Sequence, residues 1–403
     1  MKMKAIILAG GEGKRLRPFT YDRPKVMLPI ANKPILEYVI KSLKENFVKE
    51  IAIITGYKGE TIRDYFKNGD EYGVNIKYLQ QKHQLGTAHA LNVAKDYVDG
   101  ELFLVLNGDN IIDPLSIHNL LKETAEKNPG ILIKNYDGAK FYGTLEIEDN
   151  KIQYITEKKE FPNSKIINTG VYMLPKSVFK YIPETVQTGL GEYALTETLN
   201  LMIDQGTDIT AIKNDGLWAD ASYPWDLIDL NQKFLSTQSE HRHGKIEDDV
   251  KIIGEVTIGE GTTIRSGSYI VGPSTIGENC DIGPHVVIMP STSIGNNCSI
   301  RSFTEITNSV IMDGVRIGAH NIIEESVLGF DSIVKSNVVM NSGQVRKIVQ
   351  DDIVSFSSGV MVGENVTIES NTVIDPGTII ENNSKIFPNK HVSKDIGQDS
   401  VVI

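Results

Sequence analysis

The sequence predicts two structural parts, an α/β domain followed by a parallel β-solenoid. Residues 1–235 alternate short apolar runs with amphipathic stretches, a pattern typical of strands and helices that alternate along an α/β sheet. Residues 246–403 instead repeat isoleucine or valine at every sixth position over most of their length, and a fixed period of this kind is typical of a solenoid. The polar segment 236–245 is expected to link the two domains.

In the first part, four apolar runs are expected to be buried strands and three amphipathic stretches are expected to be helices. The strands are Ala5–Ala9, Ile51–Thr55, Leu102–Leu106 and Ile131–Ile133, and the helices are Pro34–Asn46, Thr61–Lys67 and Ser116–Lys127. Ligands of such sheets bind beyond the carboxyl ends of the strands. We therefore expect binding residues in the segments that follow Ala9 and Leu106.

In the second part, isoleucine recurs at every sixth position from Ile246 to Ile306 without a break. The pattern is interrupted between Ser309 and Phe356 and then resumes. Six residues suit one side of a coil, because one large apolar side chain fills the interior and a small residue allows the chain to turn at the corner. Three such sides predict a triangular coil of 18 residues that contacts only its neighbours.

The composition excludes several classes of function. A net charge of −11 gives no general affinity for nucleic acid or for an anionic membrane, so neither is an expected partner. Two cysteines are too few for a disulfide framework or a four-thiolate zinc site. Cys280 and Cys298 lie 18 residues apart, so they should stack on adjacent coils, as part of a ladder of small residues rather than as a redox pair. The sequence contains neither a signal-peptide core nor a run of membrane-spanning length, and a reducing cytoplasm is the expected location.

The segment after the first strand combines glycines with cations. It reads Gly10-Gly11-Glu12-Gly13-Lys14-Arg15-Leu16-Arg17-Pro18 and continues to Arg23-Pro24-Lys25. Glycines at the end of a strand let backbone N–H groups approach phosphate oxygens closely. A Walker loop is excluded because Leu8 stands where its first glycine should be, and a dinucleotide fingerprint because Lys14 replaces its third glycine. The segment therefore predicts a different phosphate-binding loop, and the alternative is a tight turn with a solvated cationic face.

This motif resembles the signature of the sugar-1-phosphate nucleotidylyltransferases. Later segments resemble the same family in the same order: Gln81 with Gly86-Thr87, Asn107-Gly108-Asp109, Tyr142-Gly143, Glu157-Lys158, Asn168-Thr169-Gly170 and Trp218-Ala219-Asp220. With the solenoid, the arrangement resembles the archaeal two-domain relatives of the bifunctional N-acetylglucosamine-1-phosphate uridylyltransferases. The resemblance implies a Rossmann-like nucleotidyltransferase domain with a mixed, mostly parallel sheet, followed by a left-handed parallel β-helix.

The resemblance also implies a reaction in which UTP or dTTP and a sugar-1-phosphate, either glucose-1-phosphate or N-acetylglucosamine-1-phosphate, give an NDP-sugar and pyrophosphate. Arg15 and Lys25 would be catalytic, and Asp109 and Asp220 would hold Mg²⁺. The nucleotide would be bound by Gly10, Gly11, Gly13, Lys14, Gln81, Gly86 and Thr87, and the sugar phosphate by Gly143, Glu157, Lys158 and Asn168. The sequence departs from the family pattern at Lys159, where proline is usual, and at Ser222, where glycine is usual, so the identity of the sugar stays open.

The role of the solenoid is also open. In the bifunctional relatives it carries an acetyltransferase that uses acetyl-CoA, and His320 resembles the position of its base better than His285 does. The tyrosine and the asparagine-rich loop expected next are not evident in 321–325, so a trimerisation or regulatory role is favoured, with a trimer or dimer of trimers as the assembly. The alternatives to a nucleotidylyltransferase are a non-catalytic scaffold of the same architecture and an acetyltransferase alone.

Overall fold

The computed structural model describes residues 2–124, 128–157, 164–189, 191–237, 240–349 and 352–403. The chain forms two compact units, of which the first comprises Met1–Glu12, Arg23–Met27 and Pro34–Asp220. The second comprises Gly13–Asp22, Leu28–Lys33 and Ala221–Ile403, so the glycine-rich motif is divided between the units. The predicted domain limits at residues 235 and 246 stay predictions. Of the helices described, none is both long and apolar enough to cross a membrane.

The first 235 residues combine strands and helices, as the sequence predicts. The strands are β1 (Lys4–Ala9), β2 (Pro29–Ile30), β3 (Lys33–Pro34), β4 (Glu50–Thr55), β5 (Asn75–Gln80), β6 (Leu102–Asn107), β7 (Asn110–Ile112), β8 (Gly130–Asn135), β9 (Thr144–Glu148), β10 (Lys151–Thr156), β11 (Ile166–Pro175), β12 (Thr210–Lys213) and β13 (Trp218–Asp220). The helices are α1 (Ile35–Glu45), α2 (Gly59–Phe66), α3 (Thr87–Asn92), α4 (Pro114–Glu123), α5 (Val178–Tyr181), α6 (Leu195–Asp204) and α7 (Asp226–Leu235).

In the first unit the main sheet has the strand order β5-β4-β1-β6-β11-β8-β12-β10-β9. The four strands β5, β4, β1 and β6 are parallel, and β11 enters antiparallel to both β6 and β8. The two faces of β1 pack into different cores: Ile6 lies in one apolar cluster, and Ile7 lies in the other. Burial on both faces explains why the strand reads as a continuous apolar run rather than an alternating one.

The order of the parallel strands creates a switch point between β1 and β6. From β1 the chain moves to β4 on one side of it and later to β6 on the other side. The segments that leave the carboxyl ends of β1 and β6 therefore diverge and open a crevice, which is where ligands of α/β sheets bind. The two segments stay in contact at their start, since the Gly108 N–H donates to the Leu8 carbonyl over 2.8 Å.

The second part is a solenoid of three parallel sheets, consistent with the left-handed β-helix that the resemblance implies. The first sheet contains Lys245–Ile246, Thr263–Ile264, Asp281–Ile282, Ser299–Ile300, Arg316–Ile317, Ile333–Val334, Thr367–Ile368, Lys385–Ile386 and Val401–Val402. The second contains Lys251–Ile253, Tyr269–Val271, Val287–Ile288, Glu305–Thr307, Ile322–Glu324, Val339–Met340, Val373–Ile374 and His391–Val392. The third contains Val256–Ile258, Ser274–Ile276, Thr292–Ile294, Val310–Ile311, Val327–Leu328, Met361–Val362 and Ile379–Ile380. The periodic isoleucines from Ile258 onward are buried in one continuous core.

The interruption of the six-residue pattern has two structural causes. Ile300 pairs with Ile317, and Ile317 pairs with Val334, so the coils in this stretch are one residue shorter than the 18 expected. An antiparallel hairpin formed by Gly343–Val349 and Asp352–Ser358 is then inserted between two coils. The solenoid continues unbroken across both changes, because the parallel pairing resumes on the far side of the hairpin.

The two cysteines belong to an interior ladder, as predicted. Both are buried and neither forms a disulfide. The Cys280 thiol lies 3.1 Å from the Gly295 carbonyl on the next coil, much as the Thr262 hydroxyl donates to the Gly277 carbonyl over 2.6 Å. A thiol and a hydroxyl thus serve the same corner, where each satisfies a backbone carbonyl that would otherwise be buried without a donor.

The described end of the predicted linker joins the first coil. The His243 N–H donates to the Ile258 carbonyl over 2.9 Å, and Arg242 forms a parallel bridge with Ile258. These pairings add the end of the segment to the start of the solenoid, where it covers the first turn.

Candidate active site

Lys25, Asp109 and Asp220 meet in the first unit, although they are far apart in the sequence. The Lys25 Nζ lies 2.6 Å from Asp109 Oδ2 and also pairs with Asp220 Oδ1. Asp109 stands in the turn between β6 and β7. The antiparallel pairing of β7 with β13 places Asp220 opposite Asn110, which is the neighbour of Asp109. Strand pairing therefore brings the two predicted metal-binding carboxylates to a single ammonium group.

The three side chains of this cluster are partly buried. The side chains of Lys25 and Asp220 are 13% and 11% exposed, while that of Asp109 is 32% exposed. Burial by itself lowers the pKa of Lys25, but the charges of Asp109 and Asp220 and their hydrogen bonds raise that pKa well above its ordinary value. Lys25 is therefore a permanent cation that pairs with both carboxylates and offsets one of their two negative charges.

The donor set of this cluster suits a hard divalent cation. Two carboxylates already converge on one positive group, so the Lys25 ammonium stands where a metal ion would be attracted. Magnesium is commonly held in proteins by one or two carboxylates, with waters and substrate phosphates as its other ligands. No group of three or more His, Cys, Asp and Glu side chains that could bind a metal is present in the described residues, so the protein's share of the ligands would be these two aspartates.

Gly10 and Gly11, on the first-unit side of the glycine-rich motif, differ in their surroundings. A Cβ on Gly10 would lie 2.7 Å from Gln81 Oε1, so only glycine permits the close approach of Gln81. Gly11 has open space at its Cβ position and is exposed. Among hydrogen bonds between described residues, none is donated by the Gly11 N–H, and this amide therefore remains available to a ligand.

Gly13, Lys14 and Arg15 belong to the second unit, where they form a tight turn. The Gly13 carbonyl accepts hydrogen bonds from the Leu16 N–H over 2.9 Å and from Thr20 Oγ1 over 2.9 Å. Gly13 has a positive φ of 71°, which favours glycine, and it precedes a 3-10 turn over Lys14–Leu16. Lys14 is exposed, and the Arg15 guanidinium lies 5.7 Å from the centre of the Tyr223 ring.

Gln81, Gly86 and Thr87 form a connected group at the start of α3. Gln81 is only 4% exposed, and its Nε2 lies 3.1 Å from the Gly86 carbonyl and 3.0 Å from His89 Nδ1. The Thr87 hydroxyl accepts the Leu195 N–H over 2.8 Å at the beginning of α6. The Gln81 amide is thus held in one orientation, as a base-reading group would need to be, and Thr87 has a structural role in joining α3 to α6.

Substitution of Gly86 by alanine is expected to cost roughly 1–3 kcal/mol of stability, because its φ of 106° and ψ of 176° are reserved for glycine. A Cβ there would also lie 2.5 Å from the Tyr193 carbonyl. Denaturant unfolding of Gly86→Ala should show this loss. Gly189→Ala is the matched control, since a Cβ at that position meets nothing within 4 Å. Equal stability of the two variants would contradict the expectation.

The predicted sugar-binding residues lie in a second group within the same unit. The Asn168 N–H donates to the Gly143 carbonyl over 2.8 Å, and Asn168 Nδ2 donates to the Tyr172 hydroxyl over 2.9 Å. Glu157 accepts a hydrogen bond from the Thr196 hydroxyl. Burial raises the pKa of Tyr172, and the charge of Glu157 raises it further. Three of the four predicted residues therefore belong to one polar cluster, and the fourth, Lys158, lies outside the described residues.

Tyr172 and Asn110 are residues of this region that the sequence analysis missed. Tyr172 reads as one more apolar position of strand β11, and no sequence signal marks its contact with Asn168. Asn110 donates to the Thr169 carbonyl, and Trp218 Nε1 donates to the same carbonyl over 3.0 Å. These bonds connect the segment that carries Asn168 to the segments that carry Asp109 and Asp220.

His320, the candidate acetyltransferase base, stands at an exposed corner of the solenoid. Its ring stacks on Phe303 with 5.1 Å between ring centres, and His285 stacks on the other face of Phe303 at 5.3 Å. All three residues have a positive φ of 56–60°, because they occupy the same corner of successive coils. The three rings form a continuous stack along this corner.

Family models match both parts of the chain. Residues 4–237 match the model described as nucleotidyl transferase, and residues 270–402 match the model of the GMPPB C-terminal domain. The first match covers more than half of the chain and includes the candidate residues from Gly10 to Asp220. The second covers most of the solenoid and includes His320.

Several archaeal proteins are similar over almost the full chain. The bifunctional protein GlmU of Methanococcus maripaludis is 37% identical over 397 residues, which are 92% of this chain and 94% of that protein. The GlmU of Methanocaldococcus jannaschii is 36% identical over 392 residues, 91% of this chain and 93% of that protein. The bifunctional sugar-1-phosphate nucleotidylyltransferase/acetyltransferase of Sulfurisphaera tokodaii is 32% identical over 407 residues and covers 98% of both chains.

Solved structures match one part of the chain. A protein from Bacillus anthracis, assigned as a glucose-1-phosphate thymidylyltransferase, is 32% identical with a TM-score of 0.52 and covers 57% of this chain and 94% of its own. UDP-glucose pyrophosphorylase complexed with UDP-glucose matches with a TM-score of 0.54 over 59% of this chain and 100% of its own. At 23% identity, this second likeness concerns the fold alone.

Proposed function

Since the chain belongs to the nucleotidyl transferase family, we propose that it transfers a nucleotidyl group from UTP or dTTP to a sugar-1-phosphate. The sugar would be glucose-1-phosphate or N-acetylglucosamine-1-phosphate, and the products an NDP-sugar and pyrophosphate. The observation that carries the proposal is the meeting of Asp109 and Asp220 on Lys25, beside the switch point of the parallel sheet. A protein that only acts as a scaffold has no use for such a cluster.

In this reaction an oxygen of the sugar phosphate attacks the α-phosphorus of the nucleotide, and the bond from the α-phosphorus to the bridging oxygen breaks. Pyrophosphate leaves with the electron pair of that bond. The attacking phosphate is already ionised at neutral pH, so no general base is required. Positioning of two anions and neutralisation of their charge therefore supply most of the catalysis.

Asp109 and Asp220 would hold magnesium, which when bound neutralises charge on the phosphate oxygens. Lys25 would contribute its permanent charge to the α-phosphate or to the departing pyrophosphate, and Arg15 would bind the triphosphate. The exposed N–H of Gly11 supports a role in donating to a phosphate oxygen, and Gly10, Gly13 and Lys14 are proposed as further parts of the same loop.

The remaining candidate residues would select the substrates. The buried amide of Gln81, held by the Gly86 carbonyl and His89, is suited to read the edge of a pyrimidine. Beside Gly143, the Glu157 carboxylate would accept hydrogen bonds from sugar hydroxyls. The Asn168 side chain would also contact the sugar hydroxyls through hydrogen bonds. Lys158 would pair with the sugar phosphate, a role proposed from the resemblance of the segment alone.

The test is a grid of nucleoside triphosphates against sugar-1-phosphates in the presence of Mg²⁺, with release of pyrophosphate as the measurement. Turnover is expected for UTP or dTTP with at least one of the two proposed sugar phosphates, and chelation of the metal should abolish it. If no combination releases pyrophosphate, the proposed function fails and the scaffold alternative is favoured.

A second candidate activity is acetylation of glucosamine-1-phosphate by acetyl-CoA, with His320 as the base. The supporting observation is that the chain covers nearly the whole length of relatives named as bifunctional, one of them as a nucleotidylyltransferase/acetyltransferase. Release of free coenzyme A in an assay with these two substrates tests it, and His320→Ala should abolish that release. Without such release, the solenoid would serve assembly, and a homotrimer or a dimer of trimers in the cytoplasm is the proposed state.

A further inference from the structure

A row of aromatic rings leads from Arg15 to the hairpin that interrupts the solenoid. The Arg15 guanidinium lies 5.7 Å from the centre of the Tyr223 ring, within the range of a cation–π contact. Tyr223 stacks on Trp225 with 5.0 Å between ring centres, and Trp225 stacks on Phe356 with 3.9 Å. The interplanar angles of 13° and 11° make the three rings nearly parallel. All four residues belong to the second compact unit.

The stack is well supported at both ends. Tyr223 and Trp225 are 8% and 9% exposed, and the Tyr223 N–H donates to the Asp226 carboxylate over 2.8 Å at the start of α7. Phe356 lies on the returning strand of the hairpin, opposite Val345. The stack therefore has little freedom to shift unless the hairpin moves.

The hairpin in turn is attached to neighbouring coils. The Lys347 Nζ pairs with Asp395 at 2.8 Å, and the Ser357 hydroxyl donates to Glu325 over 2.9 Å. Its far end differs, because Ile348 and Ile353 pair with each other there while remaining 77% and 71% exposed. The inner part of the hairpin is thus fixed, and the side chains of this outer pair take no part in the stack.

A second set of contacts in the same unit reaches the cationic turn from the last coils. The Arg17 guanidinium lies 4.7 Å from the centre of the Tyr21 ring. Burial raises the pKa of the Tyr21 phenol, and the charge and hydrogen bond of Glu381 raise it further, whereas Arg17 opposes the shift. Glu381 is itself fixed by the Gln398 N–H, which donates to it over 3.0 Å. The chain neighbours of Glu381 and Tyr21 are also in contact, since Asn382 Nδ2 donates to Asp22 Oδ2 over 3.4 Å. A cation of the turn is therefore linked through Tyr21 to the solenoid.

We propose that the solenoid positions two cations of the glycine-rich segment, with Phe356 acting on Arg15 through the aromatic stack and Glu381 acting on Arg17 through Tyr21. The inference rests on the proposed function, because it assigns Arg15 to the triphosphate. An arginine has much rotamer freedom to lose, so a preformed orientation reduces the entropy cost of binding. Phe356, Trp225, Tyr223, Tyr21 and Glu381 are positioning residues that need not touch the substrate.

The principal test compares Phe356→Ala with Ile353→Ala, two truncations on the same hairpin strand. Phe356→Ala is expected to raise KM for the nucleotide by about tenfold, since a remote mutation that misplaces a binding group by about 1 Å can cost up to about 100-fold. KM for the sugar-1-phosphate should stay the same, because the stack acts on the arginine assigned to the triphosphate. A general loss of structure would instead change the KM values of both substrates. Phe356→Tyr, which keeps the stack, should restore the nucleotide KM, and Ile353→Ala should match the wild type.

Tyr21→Phe keeps the ring beneath Arg17 and removes only the phenol oxygen that meets Glu381, so it tests the second contact in a protein that stays folded. It should also raise KM for the nucleotide alone. If wild-type protein turns over and both variants have wild-type nucleotide KM values, the inference is wrong while the proposed function stands. If wild-type protein releases no pyrophosphate in the substrate grid, the proposed function itself fails.

Discussion

Substitution of Asp109 by alanine is expected to lower turnover by roughly 100- to 1000-fold or more, in line with the loss of one electrostatic group that stabilises a phosphoryl-transfer transition state. The fold should persist, because Asp109 lies in a turn at the surface of the crevice and its side chain is 32% exposed. Lys25 keeps Asp220 as its partner. The measurement is pyrophosphate release under saturating substrates, with thermal unfolding as the check on the fold.

The matched control is Asp64→Ala, which removes an exposed carboxylate from α2 in the same unit. It changes the net charge of the protein by the same amount, and it stands on a different element from the three residues of the cluster. Its turnover should equal that of the wild type. Near-normal turnover of Asp109→Ala would instead show that this carboxylate does not act in the reaction, and the proposed site would have to be abandoned.

Replacement of Lys25 by methionine is expected to make the folded protein depend on magnesium. In metal-free buffer Asp109 and Asp220 would lose the cation they share, and removal of one member of a partly buried ion pair should cost roughly 1–3 kcal/mol after allowance for solvent at Asp109. Mg²⁺ should restore much of this stability, since it binds the folded protein and not the unfolded chain. The Tm should therefore rise more on addition of Mg²⁺ in the variant than in the wild type.

This outcome is expected because, at the proposed site, Mg²⁺ in the wild type would compete with the Lys25 ammonium for the two carboxylates. The measurement is thermal unfolding in chelator and in a series of Mg²⁺ concentrations, and it needs no substrate. Lys41→Met is the control, because Lys41 forms an exposed pair with Glu45 on α1. An equal shift of Tm with Mg²⁺ in wild type and Lys25→Met would show that the two cations do not share a site.

Much of the fold could be predicted because it depends on local patterns. The four predicted strands agree with β1, β4, β6 and β8 to within one or two residues at each end, and the parallel block around β1 follows from their burial on both faces. The regular isoleucine spacing predicts the 18-residue coils, which are observed for the pairs up to Ile288 with Ile306. The hairpin at 343–358 could not be predicted, because it breaks the period and its own pairing is antiparallel.

The candidate site, like the fold, could be predicted only where it depends on local patterns. The motif marks Lys25, Asp109 and Asp220 as chemically interesting, but their meeting depends on the pairing of β7 with β13, which joins segments about a hundred residues apart. The role of Tyr172 had no sequence signal, because a tyrosine in an apolar strand is usual. The contact of Asn382 with Asp22 likewise joins residues from opposite ends of the chain.

By itself, the sequence determined the succession of strands and helices in the first part and the 18-residue length of the regular coils, since each depends on residues near one another in the chain. Only the tertiary structure decided that Lys25 pairs with both aspartates, and that Gly13–Asp22 forms a compact unit with the solenoid. The physical reason is that these contacts join residues distant in sequence, and their formation depends on how whole elements pack rather than on any local pattern.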